Sequence, residues 1–74
     1  QMGRTYLYIT EFYFMEMLAE FHLYKRTDEW EERRAKLVQR CNEIYYMSMA
    51  IDDTEMMEKA ESFCREQLGC QITM

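Results

Sequence analysis

The sequence predicts an all-α, three-helix domain, and three observations favour this class. The 74 residues include no proline and only two glycines, Gly3 and Gly69, which lie near the ends. A chain without internal glycine or proline favours long helices over hairpins. Two acidic segments have the composition of helix N-termini, and the apolar residues behind them recur at helical spacing. We predict helices near residues 5–25, 28–51 and 53–68.

The first segment admits two interpretations. Thr5-Tyr6-Leu7-Tyr8-Ile9-Thr10 is rich in strand-forming residues, so a short strand over residues 5–10 is the alternative to a helix. From Glu11 to Phe21 the residues prefer a helix. A strand needs a partner, and the sequence has no second strand-like run to pair with it. We therefore predict one helix from about Thr5 to Lys25.

Acidic residues mark the starts of the second and third helices. Asp28, with Glu31 three residues later, matches a capping box, and Asp53 belongs to a second acidic cap. Gly69 follows the last apolar residue of the third helix and predicts a C-terminal cap that Cys70 closes. The predicted buried positions of the second helix are Trp30, Leu37, Cys41, Ile44, Ser48 and Ile51, and those of the third are Met56, Met57, Ala60, Phe63, Cys64 and Leu68.

The first helix is apolar on nearly every side of a helical wheel. A surface helix has one apolar stripe, and two companion helices do not cover three sides. A chain of this length buries only about 60% of its unfolded surface, although 49% of its residues are apolar. We therefore predict a homodimer or higher oligomer. Aromatic residues and methionine are enriched at protein interfaces, so the predicted interface consists of Tyr6, Tyr8, Phe12, Tyr13 and Met17.

Charge and cysteine content narrow the class of protein. The net charge of −5 disfavours nucleic acid as a partner, because phosphates would be repelled. The three cysteines form neither a disulfide framework nor a Cys-x-x-Cys zinc motif, and free thiols are typical of a reducing, cytoplasmic compartment. Three glutamates in the first segment disfavour a secretory signal or a membrane span. One domain covers residues 1–74, with Met2 as the expected natural start and Gln1 as a residue left by cloning.

Catalytic and metal-binding motifs are missing from the sequence. It has one histidine, His22, and no glycine-rich phosphate loop or serine-nucleophile motif, so we predict that the protein is not an enzyme and needs no cofactor. Several carboxylates lie three residues apart, as in helical di-metal proteins. Helix-dipole stabilisation and a solvated face explain them better, and we predict no metal site. These carboxylates are Asp28 with Glu31, Glu29 with Glu32, and the series Glu55, Glu58 and Glu61.

The segment before the second helix suggests an alternative function. Tyr24, Lys25, Arg26 and Thr27 precede a helix N-terminus, where free backbone N–H groups attract phosphate. An aromatic side chain there can stack on a base. The alternative is therefore an oligomer that sequesters a nucleotide-type anion. The acidic residues that begin the second helix oppose such a site.

The function that we expect is regulation by binding another protein. The surplus of apolar and aromatic residues favours an interface, and no motif indicates chemistry. Size and composition resemble those of regulators, antitoxin-like inhibitors and virus-encoded antagonists of host systems. We expect a non-enzymatic regulator or inhibitor whose partners are itself and another protein.

Overall fold

Three helices joined by short turns build the structure. The computed structural model describes the backbone of residues 2–73 and the side chains of residues 8–73. Helix α1 extends over Met2–Tyr24, α2 over Trp30–Ala50 and α3 over Thr54–Phe63, and α3 continues as a π-helical turn over Cys64–Leu68. The all-α, three-helix prediction is confirmed, and residues 5–10 belong to α1 rather than to a strand. Within the described part of the chain, no helix combines the length and hydropathy of a membrane-spanning segment.

Helix α2 begins two residues later than predicted, because Thr27 organises the turn before it. The Thr27 hydroxyl donates to the Tyr24 carbonyl at 2.9 Å and accepts from the Glu29 backbone N–H at 3.3 Å. Glu29 then lies at the N-cap without a side-chain hydrogen bond. The predicted capping box of Asp28 and Glu31 is therefore wrong. A threonine hydroxyl both donates and accepts, so Thr27 bonds the end of one helix and the start of the next.

Both ends of α3 follow the prediction. The Asp53 carboxylate accepts from the Met56 backbone N–H at 3.2 Å, which satisfies one of the free donors of the first turn. At the other end Gly69 has a φ of 70°, in the left-handed region where glycine avoids Cβ strain. The Cys70 N–H then donates to the Cys64 carbonyl at 3.1 Å and closes the cap. The acidic N-cap and the glycine C-cap are both confirmed.

The core lies between the inner faces of the three helices. Phe21 of α1 meets Phe63 of α3 edge-on, with ring centroids 5.3 Å apart, and Trp30 of α2 at 5.7 Å. These contacts place the C-terminal end of α1 beside the N-terminal end of α2, so the two helices are antiparallel. The buried residues are Thr10, Met17, Phe21, Leu37, Cys41, Ile44, Ser48, Met56, Ala60, Phe63, Cys64 and Leu68. Most predicted buried positions of α2 and α3 are therefore confirmed, while Trp30, Ile51 and Met57 are half-buried.

Residues 69–73, which we call the C-terminal strap, run back along α2. The Arg34 guanidinium donates from Nε to the Leu68 carbonyl at 2.8 Å and from Nη2 to the Cys70 sulfur at 3.2 Å. Further along, the Thr73 N–H donates to the Asn42 side-chain oxygen at 2.7 Å, and the Tyr46 hydroxyl donates to the Thr73 carbonyl. These hydrogen bonds hold the strap along α2.

Candidate functional site

Helix α1 carries an exposed apolar face on the side away from the core. Four large apolar residues of this helix are between 59% and 67% exposed. With Ala19 between them, their spacing of four, three, four and four residues keeps them within about 80° of one side of an α-helix. We call this set the outer face. It consists of Tyr8, Phe12, Met15, Ala19 and Leu23.

The burial of the opposite side of α1 explains why the side chains of the outer face are exposed to solvent. Thr10, Met17 and Phe21 lie on the opposite side of the helix and are 0%, 1% and 8% exposed. The Cys41 thiol of α2 donates to the Met17 thioether at 3.3 Å, which shows how closely α1 approaches α2 on that side. A helix that buries this side cannot turn Phe12 inward as well. The exposure of the outer face therefore follows from the choice of inner face.

The exposure of the four large side chains on the outer face does not contribute to the stability of the fold. Burying a large apolar side chain fully contributes about 1.5–3 kcal/mol, and most of that contribution is forgone by each large residue of the outer face. Single exposed apolar residues are ordinary, whereas a contiguous exposed set is a candidate for an interaction surface. The outer face is such a set, because its members are neighbours on successive helical turns.

Glutamates border the outer face on both long edges. Glu11 lies on one edge and Glu16 on the other, and both are exposed. Residues 8–24 include three glutamates and one histidine but neither lysine nor arginine. The salt bridges found among residues 8–73 involve only residues of α2 and its N-cap, of α3 and of the π-helical turn, so none of them neutralises Glu11 or Glu16. The site is an apolar stripe with acidic edges.

The basic residues nearest the Glu16 edge belong to α2 and already have acidic neighbours. A shallow cavity between the helices is lined by Glu16, Lys36 and Arg40, among others. The Lys36 ammonium lies 3.7 Å from a Glu32 carboxylate oxygen, and the Arg40 guanidinium lies 3.0 Å from Glu43. The positive charge on this side is therefore shared with carboxylates of α2. The edge keeps an excess of negative charge.

The predicted interface residues separate into three groups. Tyr8 and Phe12 lie on the outer face, 67% and 59% exposed. Tyr13 is half-buried, and the Arg40 guanidinium lies 4.3 Å from the centre of its ring. Met17 is buried in the core of the chain itself, so we correct its assignment from interface to core. The Tyr6 side chain lies outside the described residues.

Three members of the outer face are missing from the prediction: Ala19 and the large residues Met15 and Leu23. Met15 is 67% exposed and Leu23 is 65% exposed. Their signal in the sequence is the spacing from Tyr8, which continues through Phe12 to both residues at helical intervals. Because the helical wheel of α1 is apolar on nearly every side, the sequence alone does not distinguish this stripe from the other apolar sides.

The predicted anion site lies at the turn between α1 and α2, but its residues make internal contacts. The Thr27 hydroxyl is used by the turn itself, as described above. The Lys25 ammonium lies 5.2 Å from the centre of the Phe21 ring, and Arg26 is exposed. The Lys25 side chain therefore lies at the edge of the core, whereas the Arg26 side chain is exposed to solvent.

The ring of Tyr24, the aromatic member of that site, also makes an internal contact. The Arg33 guanidinium lies over its ring at 4.1 Å and pairs with Glu29 at 3.7 Å. A base would have to displace this guanidinium before it could stack on the ring. The geometry therefore gives the anion site no support.

The two buried thiols, Cys41 and Cys64, have environments that disfavour nucleophilic chemistry. Cys41 and Cys64 are 0% exposed, and burial, the largest cause, raises the pKa of both thiols. A raised pKa keeps a thiol protonated at neutral pH, whereas the thiolate is the nucleophile. His22 is exposed and its ring packs against Phe21 at 5.3 Å. Among the described residues, no group of three or more His, Cys, Asp or Glu side chains is arranged to hold a metal ion.

No match was found when the chain was compared with protein-family models, with curated proteins and with solved structures.

Proposed function

We propose that this chain is a non-enzymatic interaction protein that binds another protein through the outer face of α1. One observation carries the proposal: large apolar side chains, each more than half exposed, form a stripe opposite the buried face of the same helix. Tyrosine and phenylalanine act as rigid anchors in interfaces, and methionine and leucine fill the space around them.

The outer face suits recognition in a groove better than recognition by a flat surface. Its four large residues are about three-fifths exposed, so their complete burial contributes roughly 4–7 kcal/mol before costs. Association itself costs about 4–15 kcal/mol in lost motion, so a contact limited to the stripe gives weak binding. A groove encloses the flanks of the helix as well. Apolar anchors on successive turns of an amphipathic helix are typical of this mode of binding.

Helix α1 is already ordered by its packing, which favours binding further. A disordered peptide loses conformational freedom when it folds into a groove, and that loss weakens binding. Here Phe21 and Met17 hold α1 against the other helices before any partner arrives. A preformed helix that fills a groove excludes other ligands of that groove. The proposed action is therefore regulation by competition, as an inhibitor acts.

Site-specific photo-crosslinking tests this proposal. Benzoylphenylalanine replaces Phe12 on the outer face, or Gln39, which is exposed on α2, in the cells where the protein naturally occurs. We expect a discrete adduct from position 12 and none from position 39. Leu23→Asp, on the same face, should abolish the adduct, whereas Gln39→Asp should leave it unchanged.

Two results would overturn the proposal. One is equal labelling from positions 12 and 39, which would show that the outer face has no preferred partner. The other is an adduct at position 12 that Leu23→Asp does not weaken. Self-association, predicted from the sequence, stays a prediction, and an adduct with twice the mass of the 9.2 kDa chain would identify it.

A further inference from the structure

We propose that the partner contributes an apolar groove whose rims carry lysine and arginine side chains. This inference rests on the proposed function above and names the chemistry of the surface that receives α1. It follows from the charge of the two edges, from the composition of α1 and from the area of the outer face.

The acidic edges determine what the rims of a groove must offer. Glu11 and Glu16 lie on opposite sides of Phe12 and Met15, roughly 60–80° around the helix from the middle of the stripe. A groove deep enough to receive Phe12 and Met15 therefore brings one rim beside each glutamate. Apolar or acidic rims would remove water from carboxylates without replacing it, or would repel them. Basic rims form charge-assisted hydrogen bonds to the same carboxylates.

Residues 8–24 of a second copy do not meet this requirement. Because they contain neither lysine nor arginine, this part of an identical helix places no fixed positive charge opposite either glutamate. In a parallel pair with Phe12 and Met15 at the seam, Glu11 of one copy would lie beside Glu16 of the other, since these positions are five residues apart. In an antiparallel pair each acidic edge would face the same edge of the other copy, and residues 8–24 again offer neither carboxylate a lysine or arginine.

The small area of the outer face is a second argument against another copy of the chain as the occupant. From Tyr8 to Leu23 the stripe is about 22 Å long at 1.5 Å per residue, and a helix is about 10 Å wide. A footprint of roughly 220 Å² is far below the ~800 Å² per partner that stable complexes bury. Two copies meeting along this stripe alone would therefore associate weakly. A groove that also contacts the edges of α1 buries more of the helix.

Charges on the neighbouring helix do not cancel the acidic character of the edge. The cavity beside Glu16 contains Lys36 and Arg40, but also Glu20, and each of the two cations has its own carboxylate neighbour on α2. Counting these groups leaves the edge negative. Basic rims thus remain favoured on the α2 side of the face as well as on the side of Glu11.

Designed helical hairpins serve as probes of this inference. Three stapled hairpins are compared: a leucine-lined groove with lysine rims, the same groove with glutamate rims, and lysine rims around a serine-lined groove. Each is titrated into the isotope-labelled full chain, with amide shifts and calorimetry as readouts. We expect the lysine-rimmed leucine groove to bind at least roughly tenfold more tightly than the glutamate-rimmed one, because two edge charges change from attraction to repulsion.

Charge reversal on the chain provides the decisive comparison. The double variant Glu11→Lys/Glu16→Lys should invert the preference between the two leucine grooves. The matched control Glu55→Lys/Glu58→Lys changes the net charge equally on exposed positions of α3 and should leave the preference unchanged. Raising the salt concentration should weaken binding of the lysine-rimmed groove, since exposed charges are screened.

Several outcomes contradict the inference. Equal binding of both leucine grooves, an unchanged preference after charge reversal, or equally tight binding of the serine-lined groove would each overturn it. A stable dimer that the lysine-rimmed groove fails to dissociate would show that a second copy is the occupant. The photo-crosslink from position 12 distinguishes the two proposals, because it persists when only the inference about rim charge is wrong.

Discussion

Phenylalanine to alanine substitutions at two positions of α1 test the division of this helix into an inner and an outer face. Phe21 is 8% exposed and Phe12 is 59% exposed. The chemistry of the two changes is identical, and both positions lie inside the same helix. Any difference in the free energy of unfolding therefore reports burial rather than helix propensity.

The expected magnitudes differ by several kcal/mol. Phe21→Ala removes a ring that meets Phe63 and Trp30 at 5.3 Å and 5.7 Å, and such core truncations cost about 3–5 kcal/mol. Domains of this size have a total stability of about 4–11 kcal/mol, so the variant should lose from about a quarter to all of its stability. Phe12→Ala loses only a partial burial of roughly 1 kcal/mol, and alanine returns about 0.5 kcal/mol through its higher helix propensity.

Urea denaturation followed by far-UV circular dichroism measures both changes. With a slope of about 1 kcal/mol/M, Phe21→Ala should lower the urea midpoint by about 3 M or more, and Phe12→Ala by less than about 1 M. Phe12→Ala should nevertheless weaken the binding of the lysine-rimmed hairpin. Equal midpoint shifts for the two variants would refute the assignment of faces, because they would show Phe12 to be buried in solution.

Four further measurements test other features. A thiol reagent should label Cys70, which is half-buried, much faster than Cys41 and Cys64, and equal rates would contradict the packing. Gly69→Ala should cost about 1–2 kcal/mol in urea denaturation from backbone strain alone, because the added Cβ meets only Arg34 Nη2 at 3.7 Å; a cost near zero would argue against the left-handed cap. Ser48→Ala should be neutral or stabilising in the same assay, because the buried Ser48 hydroxyl has no hydrogen-bond partner among the described residues, and a loss above about 1 kcal/mol would reveal a missing bond. Sedimentation at micromolar concentration tests the self-association predicted from the sequence: a mass of at least twice 9.2 kDa would support it, and a clean monomer would remove it.

Local signals in the sequence were sufficient where the physics was local. The Asp53 cap and the Gly69 cap each depend on a few neighbouring residues, and both have the predicted geometry. The stripe of Leu37, Cys41 and Ile44 was equally readable, since polar residues separate it clearly from the solvated side of α2. These features follow from spacing and side-chain chemistry without knowledge of the tertiary contacts.

Which side of α1 is buried is harder to predict from the sequence, because it depends on contacts between helices. Residues on every side of this helix are apolar, so burial preferences alone do not say which side meets α2 and α3. The structure buries Thr10 on the same side of α1 as Met17, although threonine gives no apolar signal in the sequence. It leaves Leu23 exposed, although leucine is usually buried. The Asp28 capping box failed for a similar reason, because the nearby Thr27 hydroxyl bonds both helices at once.

The C-terminal strap has a consequence for how the molecule moves. Bonds from Arg34 to Leu68 and from Thr73 to Asn42 join residues 34 and 31 positions apart in the sequence, and both are directional backbone contacts. They tie α2, the end of α3 and the strap into one mechanical unit. Helix α1 meets that unit through ring edges and the adaptable Met17 thioether, contacts that tolerate small displacements. α1 can therefore roll or slide by a fraction of a turn at a lower cost than the strapped unit, since the contacts that would change include ring edges and the weak bond from the Cys41 thiol to Met17, and such freedom would let it adjust its depth in whatever encloses it.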